Sequence, residues 1–356
     1  MAAAVTTYGD ISPAVAAYSV VRMLTRAMPY LQYEKFGQVY PLPLNSTQTA
    51  KFRRYFLAGA AGSAGPDNGG GVNGAGTPFY VPLALTPLVE GVTPSGSILA
   101  NQDYTVTLAQ YGNYVTITDV IIDTHTDPIL EVATETLGEQ AALTVETLRY
   151  NVLKAGTNVW YGGKVSGRSS VITPITLADQ RSVTTGLNRQ NARKISSVVA
   201  STAAFNTKSV EAAYMAVCHP DLESDLRNIP GFITVANYGP HTSPFEGEIG
   251  SLEQVRYLTS TVNFPFPDAG GSAATNGLRS TSGTYADIYP IIYFGKDAFG
   301  IVPLKGKSSM TPMVVNPKPA SGDPLAQRGT VGWKLWTATV ILQDAFMARL
   351  EVGATA

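Results

Sequence analysis

One stretch limits the choice of fold more than any other: residues 128–155 read as a single uninterrupted helix. Asp127 stands where a cap belongs, Pro128 where a helix starts, and Gly156 where it stops. Leu130, Leu137, Ala141, Val145, Leu148 and Val152 make one apolar stripe. Glu131, Glu135 and Glu139 fall in the first half, and Arg149 and Lys154 in the last turns, so each sign suits its end of the helix dipole. At about 1.5 Å per residue such a helix is ~42 Å long, more than the width of a small domain. It must therefore lie as a spine across a larger body.

The remaining chain arranges itself around that spine. Ser12 and Pro13 open an earlier helix that Pro29 closes, with Ala17, Val21, Leu24 and Met28 on one face and Arg22 and Arg26 on another. Its polar face is too weak for a membrane surface, so docking on protein is expected. Residues 33–57 read as extended, with a strand over 51–55, and residues 59–76 form a Gly-rich, low-complexity loop that cannot be core. A second extended region covers 104–122, where Val106, Leu108, Val115 and Ile117 favour strand and Gly112-Asn113 marks a hairpin turn or bulge. Pairing it with 51–57 would put the Gly-rich loop at the tip of a projecting arm. Residues 188–205 read as a further helix with Arg189, Arg193 and Lys194 on its polar side. After residue 207 come short strands at 213–217, 252–262, 288–294 and 300–304 and a helix over 220–227, a compact α+β module. Residues 313–356 return to extended structure, with a long strand over 333–343 that could pair back with elements before 207.

Composition says what kind of surface this body has. Its 25 Lys+Arg and 26 Asp+Glu are 14% of 356 residues, against roughly 25% in an average soluble domain. A compact monomer of 37.7 kDa exposes about 14,000 Å², so each charge would cover ~270 Å² where ~155 Å² is typical. Much of that surface is therefore expected to face other protein. A net charge of -1 excludes both a strongly basic nucleic-acid binder and an acidic solvating tail. The single cysteine, Cys218, excludes an internal disulfide and a multi-Cys zinc site, and only His125, His219 and His241 could supply imidazole to a metal. No apolar run approaches the ~18–20 residues that cross a bilayer, and the first basic residue is Arg22, which is unlike a signal peptide; a soluble chain made in the cytoplasm is expected.

Each motif with catalytic precedent has a plainer explanation. Gly69-x-Gly71-x-x-Gly74 matches the dinucleotide fingerprint, but Pro78 and Pro82 follow where a helix N-terminus would have to hold the pyrophosphate. Gly306-Lys307-Ser308 resembles the end of a phosphate-binding loop, with Gly300 one position too early and Pro303 intruding. Asp119, Asp123, His125 and Asp127 alternate along an extended segment and could share a side to hold a divalent cation; otherwise they form a polar edge leading into the spine. Cys218 and His219 could be nucleophile and base, yet neighbours in a strand point to opposite faces. Arg53/Arg54 and Arg189/Arg193/Lys194 are too small as patches for specific nucleic-acid recognition. What remains is an assembly protein of α+β class with no catalytic residues, no cofactor and no metal. A metal-assisted hydrolase using Asp119, Asp123 and His125 is the rival.

The residues themselves point the same way. Tyr8-Gly9-Asp10-Ile11-Ser12-Pro13, Lys35-Phe36-Gly37-Gln38, Phe52-Arg53-Arg54-Tyr55, Thr86-Pro87-Leu88-Val89-Glu90-Gly91-Val92-Thr93-Pro94, Leu137-Gly138-Glu139-Gln140, Lys154-Ala155-Gly156-Thr157-Asn158, His219-Pro220-Asp221, Gly247-Glu248-Ile249-Gly250 and Gly295-Lys296-Asp297-Ala298-Phe299-Gly300 resemble the phage-N4-type major capsid proteins of tailed bacteriophages. The resemblance implies the Hong Kong 97 capsid fold: an N-terminal arm over 1–36, an E-loop hairpin over 37–118 with the Gly-rich tip 59–76, a P-domain over 119–207 and 311–356 carrying the spine helix, and an A-domain over 208–310. It also implies hexamers and pentamers closing into an icosahedral head around double-stranded DNA, with portal, scaffold and possible cement proteins as partners, no membrane, and synthesis in the host bacterial cytoplasm. Arg189, Arg193 and Lys194 are then the candidate DNA-facing residues. An encapsulating compartment shell of the same fold is the alternative.

Overall fold

The spine forms as the pattern dictates. In the computed structural model, which describes residues 30–55, 87–93, 101–124, 129–203, 206–239, 245–273, 277–304, 311–315, 317 and 324–356, the helix runs Ile129–Lys154. Leu137, Ala141, Ala142, Val145 and Leu153 are buried, and Thr134, Thr136, Thr144 and Thr147 turn their hydroxyls back onto carbonyls one turn earlier. The helix expected over 12–29 and the Gly-rich loop 59–76 lie outside the described residues, as do His125, Asp127 and His241.

In chain order the strands are β1 (Gln38–Val39), β2 (Thr49–Tyr55), β3 (Asn101–Thr107), β4 (Ala109–Thr118), β5 (Val159–Tyr161), β6 (Tyr214–Cys218), β7 (Ile233–Thr234), β8 (Glu248–Leu252), β9 (Val255–Thr259), β10 (Ile288–Phe294), β11 (Phe299–Pro303), β12 (Thr311–Val315), β13 (Arg328–Ile341) and β14 (Met347–Gly353). The α-helices are α1 (Asp119–Thr124), the spine α2 (Ile129–Lys154), α3 (Leu177–Arg189) and α4 (Glu223–Asn228). Two sheets hold the body. One is built on the long strand β13, flanked by β4 along one side and by β12 and β11 along the other, with β1 beyond β11. The other has seven strands in the order β5-β14-β10-β6-β9-β8-β7, mixed in direction. β10 is buried at every residue, as expected of a strand covered on both faces.

Side chains fasten these layers together. Val331, Trp333 and Leu335 of β13 and Ile117 of β4 pack under α2, where Ala141 and Ala142 leave room for the indole. Below the spine's C-terminal half a second cluster joins both sheets: Tyr150 and Leu153 of α2, Met215, Val217, Ile292 and Phe294 of the seven-stranded sheet, Phe299 and Ile301 of β11, and Tyr33 and Phe36 from the chain before β1. α3 covers the opposite face of the seven-stranded sheet through Val183 and Leu187.

Several expectations need correcting. The helix expected over 188–205 is not there beyond its first two residues: α3 ends at Arg189, the next turn puts Asn191 in the left-handed region (φ 54), and the described residues 190–203 are not helical. The start of α3 is the reciprocal cap between Thr176 and Asp179. Gly112 and Asn113 make no turn, because β4 pairs straight through them with Lys334 and Trp333. The chain leaves extended structure at Asp119, where α1 begins. Residues 252–262 are not one strand: β8 and β9 form a hairpin turning at Glu253, itself at φ 51. β11 shares its sheet with β13, while β14 and β5 complete the seven-stranded sheet.

Candidate assembly interface

A two-stranded ribbon stands off the body. Among the described residues β2 and β3 pair only with each other, Thr49 opposite Thr107 through Tyr55 opposite Asn101. Its root is apolar: Ala50 and Leu108 are buried with Leu42 and Val302, and Phe52, Val106 and Trp336 pack on them. Next along the ribbon comes a charged cross-strand group. Arg53 grips the opposite Asp103 with Nε and Nη2 at 2.8 and 3.0 Å, and Lys51 approaches the same carboxylate at 3.4 Å. These cations hold the half-buried Asp103 carboxyl at about 2, well below its ordinary value. A lone two-stranded ribbon is marginal in water, so its outer half needs a partner surface.

The chain before β1 is tied to the spine by one buried carboxylate. Glu146, fully buried on α2, accepts the backbone N–H of Gln32 at 2.8 Å and of Tyr33 at 2.7 Å through Oε1. Arg149 bridges its Oε2 at 3.5 Å to Glu34 at 3.1 Å. Burial lifts the Glu146 carboxyl above the usual carboxylate value, while Arg149 and the two N–H groups pull it back. Tyr33 then donates its hydroxyl to Asn263 at 2.6 Å, and Asn263 donates to the Val217 carbonyl of β6 at 2.9 Å. Residues 32–36 thus tie the spine to both sheets.

The expected catalytic candidates do not converge. Asp119 and Asp123 lie on the short helix α1 rather than on an extended segment, so their alternation is lost, and among the described residues no three His, Cys, Asp or Glu side chains are placed to hold a metal. Cys218 is buried in the core under α3, its thiol pushed up to about 12 by desolvation and donating to the Leu258 carbonyl. His219 accepts the Asp221 N–H on Nδ1 and, half-buried, has its pKa lowered, so it is a neutral cap. Asp221 is itself shared by Tyr289 at 2.9 Å and Arg279 at 3.1 Å. Beside that network lies an open concavity of about 640 Å³ lined by Leu278, Arg279, Thr281, Asp287 and Ala356.

The basic residues occupy one corner. Arg189 ends α3 and is exposed, as is Arg193; Lys194 is half-buried. The Arg193 carbonyl accepts the N–H of Lys296 at 2.8 Å, which brings a fourth, exposed cation to the group. That approach requires Gly295, since a Cβ there would lie 2.7 Å from the Arg193 oxygen. Sequence reading missed Lys296 because the turn after β10 carries no sign of what it meets.

A rooted ribbon, a strapped N-terminal segment, a spanning helix and exposed apolar strands define a class: a structural protein whose product is contact with other protein. No described helix is long and apolar enough to cross a membrane. The phage capsid protein family model matches residues 102–350, most of the chain. The major capsid protein of Pseudomonas phage KPP21 is 22% identical over 265 residues, covering 69% of this chain and 66% of that one. The capsid of Ralstonia phage GP4 superposes with a TM-score of 0.61 at 14% identity over 92% of each chain. The capsid of cyanophage P-SCSP1u gives 0.56 at 14% identity over 91% of this chain and 88% of its own. The chain belongs to the phage capsid protein family, with the Hong Kong 97-like fold. It is a structural component of the virion shell and not an enzyme.

Proposed function

We propose that this chain is the major capsid protein of a tailed phage, tiling as hexamers and pentamers into an icosahedral head that encloses double-stranded DNA. The observation that carries this is the family match over 102–350, which takes in nearly all of the ribbon strand β3, the spine and most of both sheets. The ribbon is the E-loop within 37–118, residues 1–36 are the N-terminal arm, α2 is the spine of a P-domain over 119–207 and 311–356, and 208–310 is the A-domain. Interface energy spread over many moderate contacts permits reversible assembly. Portal, scaffold and possible cement proteins are the further partners, and Arg189, Arg193 and Lys194 face the packaged DNA. Near-neutral charge suits a container wall, because a strongly cationic lining would retain the genome.

Purified chain imaged by negative stain should give closed shells tens of nanometres wide, and nuclease-protected DNA inside phage-made shells separates a virus head from an encapsulating compartment. Replacing Arg189, Arg193 and Lys194 together by Ala should weaken genome retention; unchanged retention would remove them from the DNA-facing surface.

A further inference from the structure

The C-terminal end of the spine stands over a carboxylate that has more cations around it than it can balance. Glu351 of β14 is fully buried, and Arg168 grips it with Nε on Oε2 at 2.6 Å and Nη2 on Oε1 at 2.8 Å. Arg349, two residues back on the same face of β14, sets its own Nε 2.8 Å from that Oε1, in ion-pair contact but off the line of a hydrogen bond. Lys154 ends α2 and reaches over Tyr150 and Phe266, its Nζ 5.0 and 5.2 Å from the two ring centres, while Arg168 stacks on the same Phe266 ring at 3.6 Å. Asp344, beyond the same helix end, is taken up by the Thr157 N–H at 3.0 and 3.1 Å. Among the described residues neither the Lys154 ammonium nor the Arg349 Nη groups meet an acceptor. Three cations thus surround one anion, an excess of two positive charges in a chain whose net charge is -1.

The dipole of α2 accounts for a cation at its last residue, but not for a second guanidinium on a carboxylate that Arg168 already holds at both oxygens. Partly buried charge of one sign is costly unless an anion meets it. The Arg168 and Arg349 side chains are 33% and 12% exposed and Lys154 is half-buried, whereas Glu351 is sealed, so a solute reaches the cations but not the carboxylate. We propose that Lys154, Arg168 and Arg349 form a site for a phosphate group, as free phosphate or as a phosphodiester of DNA. A tetrahedral dianion matches the two excess charges, and its oxygens point in enough directions to meet a guanidinium fork and an ammonium at once. The site shares no residue with the basic corner at Arg189 and does not depend on the shell reading.

The test titrates inorganic phosphate into the purified full-length chain at constant ionic strength, read by the phosphorus NMR line of the ligand and the amide resonances of the protein. Saturable broadening of the phosphorus line, with shifts at the amides of residues 154, 168 and 349, is expected. Lys154→Gln and Arg349→Gln should each weaken binding about tenfold or more, and Arg189→Ala should leave it unchanged. Lys154 sits half-buried at a helix end, so its replacement keeps the fold, and the amide shifts need no variant at all. Binding that does not saturate, shifts confined to other residues, equal weakening by Arg189→Ala, or full affinity in either Gln variant each overturns the site. Acetate that displaces phosphate at equal concentration assigns the cations to a carboxylate and overturns it too. A short DNA duplex added to the phosphate-loaded chain separates the two sources: displacement assigns a phosphodiester and retention assigns the free ion, and the site stands in both cases.

Discussion

Glu146 shows how much can depend on one side chain. Removing it leaves the N–H groups of Gln32 and Tyr33 and the Arg149 guanidinium without their buried acceptor, so Glu146→Ala should cost about 3 kcal/mol of unfolding free energy. Exchange at the amides of residues 32 and 33 should rise with it; a stable variant with a protected strap would refute this role. Its folded pKa lies above the unfolded value, so its contribution is fullest below the ordinary carboxylate range and falls as pH rises through the lifted value. Asp103 has the opposite sign. Its carboxyl sits at about 2, so the Arg53 and Lys51 contacts help the ribbon above an unfolded value of about 3.9 and are lost as pH falls toward 2. Arg53→Ala should return Asp103 toward 3.9 in a carboxyl NMR titration, and a value still near 2 would show that another group sets it.

Elements are where close approach replaces side-chain chemistry. A Cβ on Gly112 would lie 2.7 Å from the Trp333 carbonyl oxygen, and one on Gly332 would lie 2.8 Å from the Tyr114 Cβ. Either residue changed to Val should cost roughly 1–3 kcal/mol by forcing β4 and β13 apart, measured by denaturant unfolding. The sequence allows a hairpin turn or a bulge at Gly112 because a glycine inside an extended run signals a turn, a bulge or a tight contact alike, and only the partner strand decides among them. The spine was legible to within a residue at each end because its caps and stripe agree, and β10 was legible because a wholly apolar run has few other places to go. α3 was displaced because Arg189 and Arg193 share helical spacing, whereas the Thr176 and Asp179 cap was overlooked. α1 was missed for another reason: its β-branched Val120, Ile121 and Ile122 extend the strand pattern, and Asp119, accepting the Val120 N–H, breaks it locally.

At the scale of the whole molecule, scarce charge and exposed apolar strands become one statement. Val39, Tyr40, Tyr114, Val115, Met313 and Val315 are all exposed around the sheet built on β13, a distribution that suits a tile and leaves a solitary globule prone to association. Assembly was legible in the charge count, but which surfaces meet was not, since exposure depends on register and pairing. The ribbon gives the most direct test. A cryo-electron-microscopy map of shells grown from this chain should place β2 and β3 of each copy against the body of the next, inside closed particles tens of nanometres across. A stable 38 kDa monomer at concentrations where phage heads form, with its ribbon folded back on its own sheet, would contradict the account.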